Sequence, residues 1–224
     1  MFANASSSSA SGVDLLRPPG LLGGRFVYAL VRLPSGWFAA GTDQGVWLFE
    51  GRDLLGPPSA IIVPSAHVAC LLALPDGGLV AGTLSGALLF SAEALRPGGR
   101  PYAVLAQSSA VWALLDLPDR GGLIVGTSAW GAGSESRGAL FYTSGVWQPP
   151  KSGAAASTDT AAAMEPGAVL AAGSIVWSLA LLPCGSLAVG ASGQGVMLFN
   201  LTPLVIDGES SPEAETAAAT RAAF

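Results

Sequence analysis

Apolar residues dominate four segments of this chain, and each segment spells the same phrase, V-x-x-L-x-x-L-P. The copies are Val27, Leu30, Leu33, Pro34; Val68, Leu71, Leu74, Pro75; Val111, Leu114, Leu117, Pro118; and Val176, Leu179, Leu182, Pro183. Each leads into a second shared phrase: Gly41-Thr42, Gly82-Thr83, Gly126-Thr127 or Gly190-Ala191, then a short gap, a glycine and an apolar ending at Phe49, Phe90, Tyr142 or Phe199. The copies begin at 27, 68, 111 and 176, so the intervals are 41, 43 and 65 residues. Two insertions, 128–137 and 148–166, account for the longer third interval, and the second is too poor in large apolar side chains to form a core of its own.

Within one copy the pattern predicts four strands. The first, such as 26–33, is nearly continuous in apolar character, as expected of a strand covered on both faces. Proline then removes a ladder donor, and the following Ser35-Gly36, Asp76-Gly77, Asp119-Arg120-Gly121 or Cys184-Gly185 accepts turn dihedrals, so the chain reverses there. A second strand (37–40, 79–81), a glycine-bounded turn and a third strand follow. A short apolar piece at 60–63, 102–106, 168–171 or 204–206 completes the unit. Both insertions are expected to lie outside strands.

Four antiparallel strands repeating every 40 to 45 residues are the signature of a β-propeller blade, whereas a helical solenoid of that period would be broken by these prolines and glycines. The expected fold class is therefore all-β: a β-propeller of four four-stranded antiparallel blades at about 23–64, 65–107, 108–172 and 173–207. A Ser/Ala-rich tail, 1–22, precedes it, and a disordered tail, 208–224, follows. The blades resemble WD repeats in the order V-x-x-L, P-D-G, small-residue strand, G-x-V. They are also similar to blades of two-component-regulator propellers, in the run ending G-T-x-x-G and an aromatic. The Trp-Asp pair of WD repeats is replaced here by Phe49-Glu50, Phe90-Ser91, Tyr142-Thr143 and Phe199-Asn200, so the His-Asp network of that family does not carry over. Propellers usually close with about four to eight blades. Four units leave three arrangements open: a closed small ring, an open array completed by another chain, or part of a longer protein.

Composition narrows the function classes. Half of the 224 residues are apolar and only 11% are charged, against about 25% in ordinary soluble domains, which suggests that some apolar area is covered in the native assembly. The net charge of −5, with Lys151 the single lysine among scattered arginines, supplies no basic stripe for nucleic acid. Cys70 and Cys184 have no CxxC spacing and read as thiols of a reducing compartment, cytoplasmic or nuclear. Residues 167–195 carry no charge and are long enough to suggest a membrane span, but their proline and glycines fall in the repeat register, so no membrane partner is expected.

Catalytic patterns are missing from the sequence. There is one histidine, His67, no GxSxG elbow and no GxxxxGK loop, so no catalytic residue, metal or cofactor is assigned. Arg32 and Asp116 share a repeat position, a meagre basis for a hydrolase or lyase. Binding residues are the better candidates. The position after each first valine is Tyr28, Ala69, Trp112 or Trp177, where an aromatic ring either packs between blades or lines a central opening. The insertion at 128–137 brings Trp130, Glu135 and Arg137 to the rim expected to hold Asp43 and Gln44, and Trp and Arg dominate protein interfaces energetically. The sequence therefore points to a non-enzymatic scaffold that binds protein partners through its loop rim, one of which could complete the propeller. A sensory or small-ligand-binding propeller is the alternative.

Overall fold

The computed structural model describes residues 25–51, 57–117, 121–129, 136–143 and 162–201. The chain is built from four antiparallel sheets, each a repeat unit, standing side by side. Blade 1 consists of β1 (Val27–Arg32), β2 (Phe38–Thr42), β3 (Gly45–Phe49) and β4 (Ala60–Ile62), paired in that order. Blade 2 repeats it with β5 (Val68–Ala73), β6 (Leu79–Thr83), β7 (Gly86–Phe90) and β8 (Ala103–Leu105). Blade 3 uses β9 (Ala110–Leu117), β10 (Gly122–Ser128), β11 (Ala139–Thr143) and β13 (Ala168–Leu170), with β12 (Ala162–Met164) diverted elsewhere. Blade 4 has β14 (Val176–Leu181), β15 (Ser186–Ala191) and β16 (Gly195–Asn200) among the described residues. The fourth strand expected at 204–206, the tails and the turn at Asp119 lie outside them.

The Leu-Pro punctuation makes the reversals expected of it. Leu33 N–H donates to Trp37 O at 2.8 Å and Gly36 N–H to Leu33 O at 2.9 Å, with Gly36 at φ +89°, a conformation costly for any residue with a Cβ. The same pair of bonds recurs from Leu74 and Gly77 and from Leu182 and Gly185. Asp76 accepts Gly78 N–H at 2.9 Å, as a turn carboxylate should. The threonine of Gly-Thr closes the β2–β3 type of turn: Thr42, Thr83 and Thr127 hydroxyls donate to Gly45 O, Gly86 O and Gly138 O at 2.8 to 2.9 Å.

Three seams join the four blades, and each is a separate apolar core. Val46, Leu48 and Ile62 of blade 1 meet Val68, Leu79, Ala81 and Phe90 of blade 2. Val80, Leu89 and Leu105 meet Val111, Leu123, Val125 and Tyr142, and Ile124, Ala139 and Phe141 meet Val176, Leu187 and Val189. The glycine of Gly-Thr is the contact point of the neighbour's first valine. A β-carbon on Gly41 would lie 2.9 Å from Val68 Cγ1, one on Gly82 2.9 Å from Val111 Cγ1, and one on Gly126 2.7 Å from Val176 Cγ1. The repeating glycine therefore reports how closely consecutive sheets approach.

Two expectations are corrected. The insertions are not wholly outside strands: Ser128 ends β10, opposite Ala110, and β12 runs parallel to β8 on the outer edge of blade 2, making that sheet five-stranded. An exposed edge strand recruits any chain that can pair with it. Nor is every first strand covered on both faces. β1 and β14 expose side chains along their length because the four sheets do not close into a ring. The charge-free stretch 167–195 forms β13, β14 and β15, and no helix among the described residues is long and apolar enough to cross a membrane.

Candidate functional site

The innermost strands β1, β5, β9 and β14 follow one another across the molecule. At the mouth of each, pairing with the second strand is irregular, with a bulge between residues 27 and 29, 68 and 70, 111 and 113, and 176 and 178. The extra residue of a bulge is turned out of the regular alternation, and in three blades it is the aromatic: Tyr28, Trp112 or Trp177. In blade 2 the extra residue is Ala69, and His67, two positions earlier, supplies the ring instead.

The rings form one row. Tyr28 and His67 have centroids 4.4 Å apart, His67 and Trp112 6.2 Å, and Trp112 and Trp177 5.3 Å, in tilted or edge-on arrangements. Phe26 extends the row beyond Tyr28 at 6.4 Å. These spacings fall in the favourable range for aromatic pairs. Tyr28 is 46% and Trp177 49% exposed, so the rings pack on one another and still present faces to solvent. The Trp112 indole N–H donates to Ser128 Oγ at 2.7 Å, which fixes its plane.

The row lies at the same end of the blades as the turns after the second strands. Asp43 N–H donates to Phe26 O at 3.3 Å, Ser108 N–H to Ser85 O at 3.1 Å, and Ser192 N–H to Ile175 O at 2.9 Å, so each turn is tied to a segment entering an innermost strand. Asp43 and Gln44 occupy the first of these turns, where Gln44 N–H donates to Thr42 Oγ1 at 3.0 Å. The Asp43 carboxylate has one oxygen, Oδ1, buried without a hydrogen-bond partner. Arg137 closes the corresponding turn in blade 3 by donating its N–H to Thr127 Oγ1 at 3.2 Å, and Ser136 Oγ reaches Ser174 O next to blade 4. The Arg137 guanidinium stands 3.7 Å from the exposed Glu165 carboxylate, a surface pair of small energetic weight. Trp130 and Glu135 lie outside the described residues. The aromatic positions and the rim, distinct in sequence, thus share one face.

Sequence reasoning missed His67 and Phe26 as members of this row. The available signal was Ala69: where the repeat loses its ring, the histidine immediately ahead of the valine replaces it. Arg32 and Asp116 do not belong to this face. They precede the Leu-Pro turns at the opposite ends of β1 and β9, where Arg32 with Leu33, Pro34, Ala73, Leu74 and Pro75 lines an open concavity of about 400 Å³. Burial raises the Asp116 carboxyl above its ordinary range, partly offset by a backbone hydrogen bond at Leu117. No group of three or more His, Cys, Asp or Glu among the described residues could hold a metal ion.

No family model matches the sequence, and no curated protein is recognisably similar to it. Solved structures are similar in fold. The β-propeller domain of Cps50 (Swd1) from Myceliophteria thermophila superposes with a TM-score of 0.54 at 15% identity, over 82% of this chain and 55% of that one. The WD40 β-propeller domain of Doa1 gives 0.51 at 17% identity, over 77% and 50%. The extracellular domain of a hybrid two-component system of B. thetaiotaomicron gives 0.54 at 18% identity, over 80% and 21%. The chain thus spans about half of the first two, or less of the third. With its four antiparallel sheets and these neighbours, it carries the β-propeller fold, as an array that does not close on itself.

Proposed function

We propose that this chain is a non-enzymatic scaffold that binds a protein partner on the face shared by the aromatic row and the turn rim. The row Tyr28, His67, Trp112, Trp177 carries this reading. An apolar centre of half-exposed rings, bordered by polar turns such as Asp43-Gln44 and by Arg137, has the anatomy of a protein interface, with an aromatic core and a solvated rim. The row is a strip rather than an enclosed chamber, and an extended apolar peptide segment fits it better than a compact molecule. Such a partner would lie across the strand mouths with its apolar side chains over the rings. The unpaired cysteines, Cys70 and Cys184, suit a reducing compartment, cytoplasmic or nuclear.

Selection of peptides on the immobilised chain, followed by affinity measurement, tests the proposal. Truncation of Tyr28 or Trp177 to alanine should weaken a selected peptide by roughly 30-fold or more, the scale of an interface hot spot, while the circular dichroism of the strands is unchanged. Equal binding by both variants, or selected peptides that compete only with changes at the Leu-Pro face, would remove it. A small ligand with a flat ring is the second reading, favoured by the 5.3 Å spacing of Trp112 and Trp177. It predicts thermal stabilisation by small molecules that Trp112→Leu abolishes.

A further inference from the structure

The two ends of the array expose complementary halves of one seam. At the leading end, Val27 is 44% and Leu30 64% exposed, whereas Val68, Val111 and Val176, which occupy the Val27 position in the other blades, are each 0% exposed. At the trailing end, Val196 is 72% and Leu198 52% exposed, whereas Val46 and Leu48, Ala87 and Leu89, and Ala139 and Phe141 are buried at the same positions. Gly190 completes the pattern. Gly41, Gly82 and Gly126 each receive the next blade's first valine, but a β-carbon on Gly190 would meet only its own sheet's Ser178. The trailing end thus holds the receiving glycine with no valine against it, and the leading end a valine with no glycine beneath it.

We propose that these ends join between two copies of the chain, head to tail, so that the dimer closes as a ring of eight blades. Val27 of each copy would seat on Gly190 of the other, flanked by Leu30 on one side and by Val196 and Leu198 on the other. The new seam repeats the inner part of an interface that the chain already makes three times, a first-strand valine on a glycine beside the third strand's apolar pair, so the chemistry of that part is specified by the existing ones. A head-to-tail contact closes when its rotation divides the circle, and eight blades fall within the usual range of about four to eight. The outer part of the leading face is already buried at Ala40 and Phe49, which places the joint along the inner strand β1. Closure would also bring Phe26 and Tyr28 of one copy toward Trp177 of the other and extend the aromatic row around the ring. The proposal concerns the blade ends and stands or falls independently of the peptide-binding reading.

Light scattering on the full chain, coupled to size separation, tests it. The expected mass is twice the 22.3 kDa of one chain. Val27→Asp and Leu198→Asp should each halve that mass, because every joint uses one of each residue, and both substitutions fall on exposed positions that leave the strand circular dichroism intact. Mixing the two variants should restore a dimer through the single joint that keeps both native partners. A mass of one chain at the highest attainable concentration, or any mass other than two chains, overturns the proposal. So does a dimer that persists in either single variant, which would indicate a contact between like ends.

Discussion

The Cys70 sulfur sits in the seam between blades 2 and 3, against Gly82 and 3.6 Å from Val111 O, to which its thiol donates. Desolvation there pushes its pKa from 9.0 up to about 12, against a smaller lowering by a backbone hydrogen bond at Gly82. The raised value means that the folded chain holds the neutral thiol, so the stability it supports is intact below about pH 9 and is lost only as pH rises toward about 12. Cys184, in an exposed Leu-Pro turn, is shifted the other way, chiefly by a hydrogen bond with the Ser186 side chain. The two thiols should therefore differ sharply toward an aromatic disulfide reagent at pH 8. Cys184 is expected to react at least as fast as an ordinary exposed cysteine, since its lowered pKa enlarges the thiolate fraction. Cys70 should be slower by about 100-fold or more, the factor set by a local opening of about 3 kcal/mol. Equal rates measured by absorbance, with Cys184→Ser identifying the phases, would place Cys70 outside the seam.

At the level of the strand and turn, the Gly-Thr phrase is two devices in adjacent residues. The glycine admits the neighbouring blade, and the threonine hydroxyl both donates across the turn and accepts a backbone N–H, as Thr83 does with Gly86 O at 2.8 Å and Ser85 N–H at 3.1 Å. Thr83→Val keeps the shape and removes the hydroxyl from the buried Gly86 carbonyl and the part-buried Ser85 N–H, which should cost about 1–3 kcal/mol in urea unfolding. The corresponding residue of blade 4, Ala191, has no hydroxyl, and the turn there holds by a long Gln194 N–H to Ala191 O bond of 3.4 Å. A Thr83→Val cost near zero would mean that water replaces the hydroxyl. The turns and strands were legible in the sequence because proline, glycine and alternating apolar residues act locally. The threonine's two bonds were not, since a hydroxyl beside a turn glycine reads equally well as an exposed polar residue. The strand β12 was illegible for another reason: 162–164 has no alternation of its own and forms a strand only because blade 2 offers the edge of β8. The aromatic row was half legible, with Tyr28, Trp112 and Trp177 in register by repeat and His67 hidden by its shift to the other side of the valine.

For the whole molecule, stability should be graded along the array. A stack of repeats is held by its units and by the seams between neighbours. Blades 2 and 3 have a seam on both sides, whereas blades 1 and 4 have one each. The strands β6 and β10 are buried at every residue, while β1 and β16 alternate with solvent-exposed positions. Amide hydrogen exchange of the isolated chain, at concentrations too low for association, should therefore be slowest in β6, β9 and β10 and fastest in β1 and β16. Since sub-global openings span free energies from near zero up to the full stability of the fold, this ordering should appear as rate differences of a hundredfold or more. If two copies close the ring, the ends gain the seam that they lack, and the same experiment at high concentration should slow exchange in β1 and β16 while β6 and β10 change little. Uniform exchange along the chain at low concentration would contradict the graded array, because an open row of sheets cannot protect its outermost strands as well as its middle.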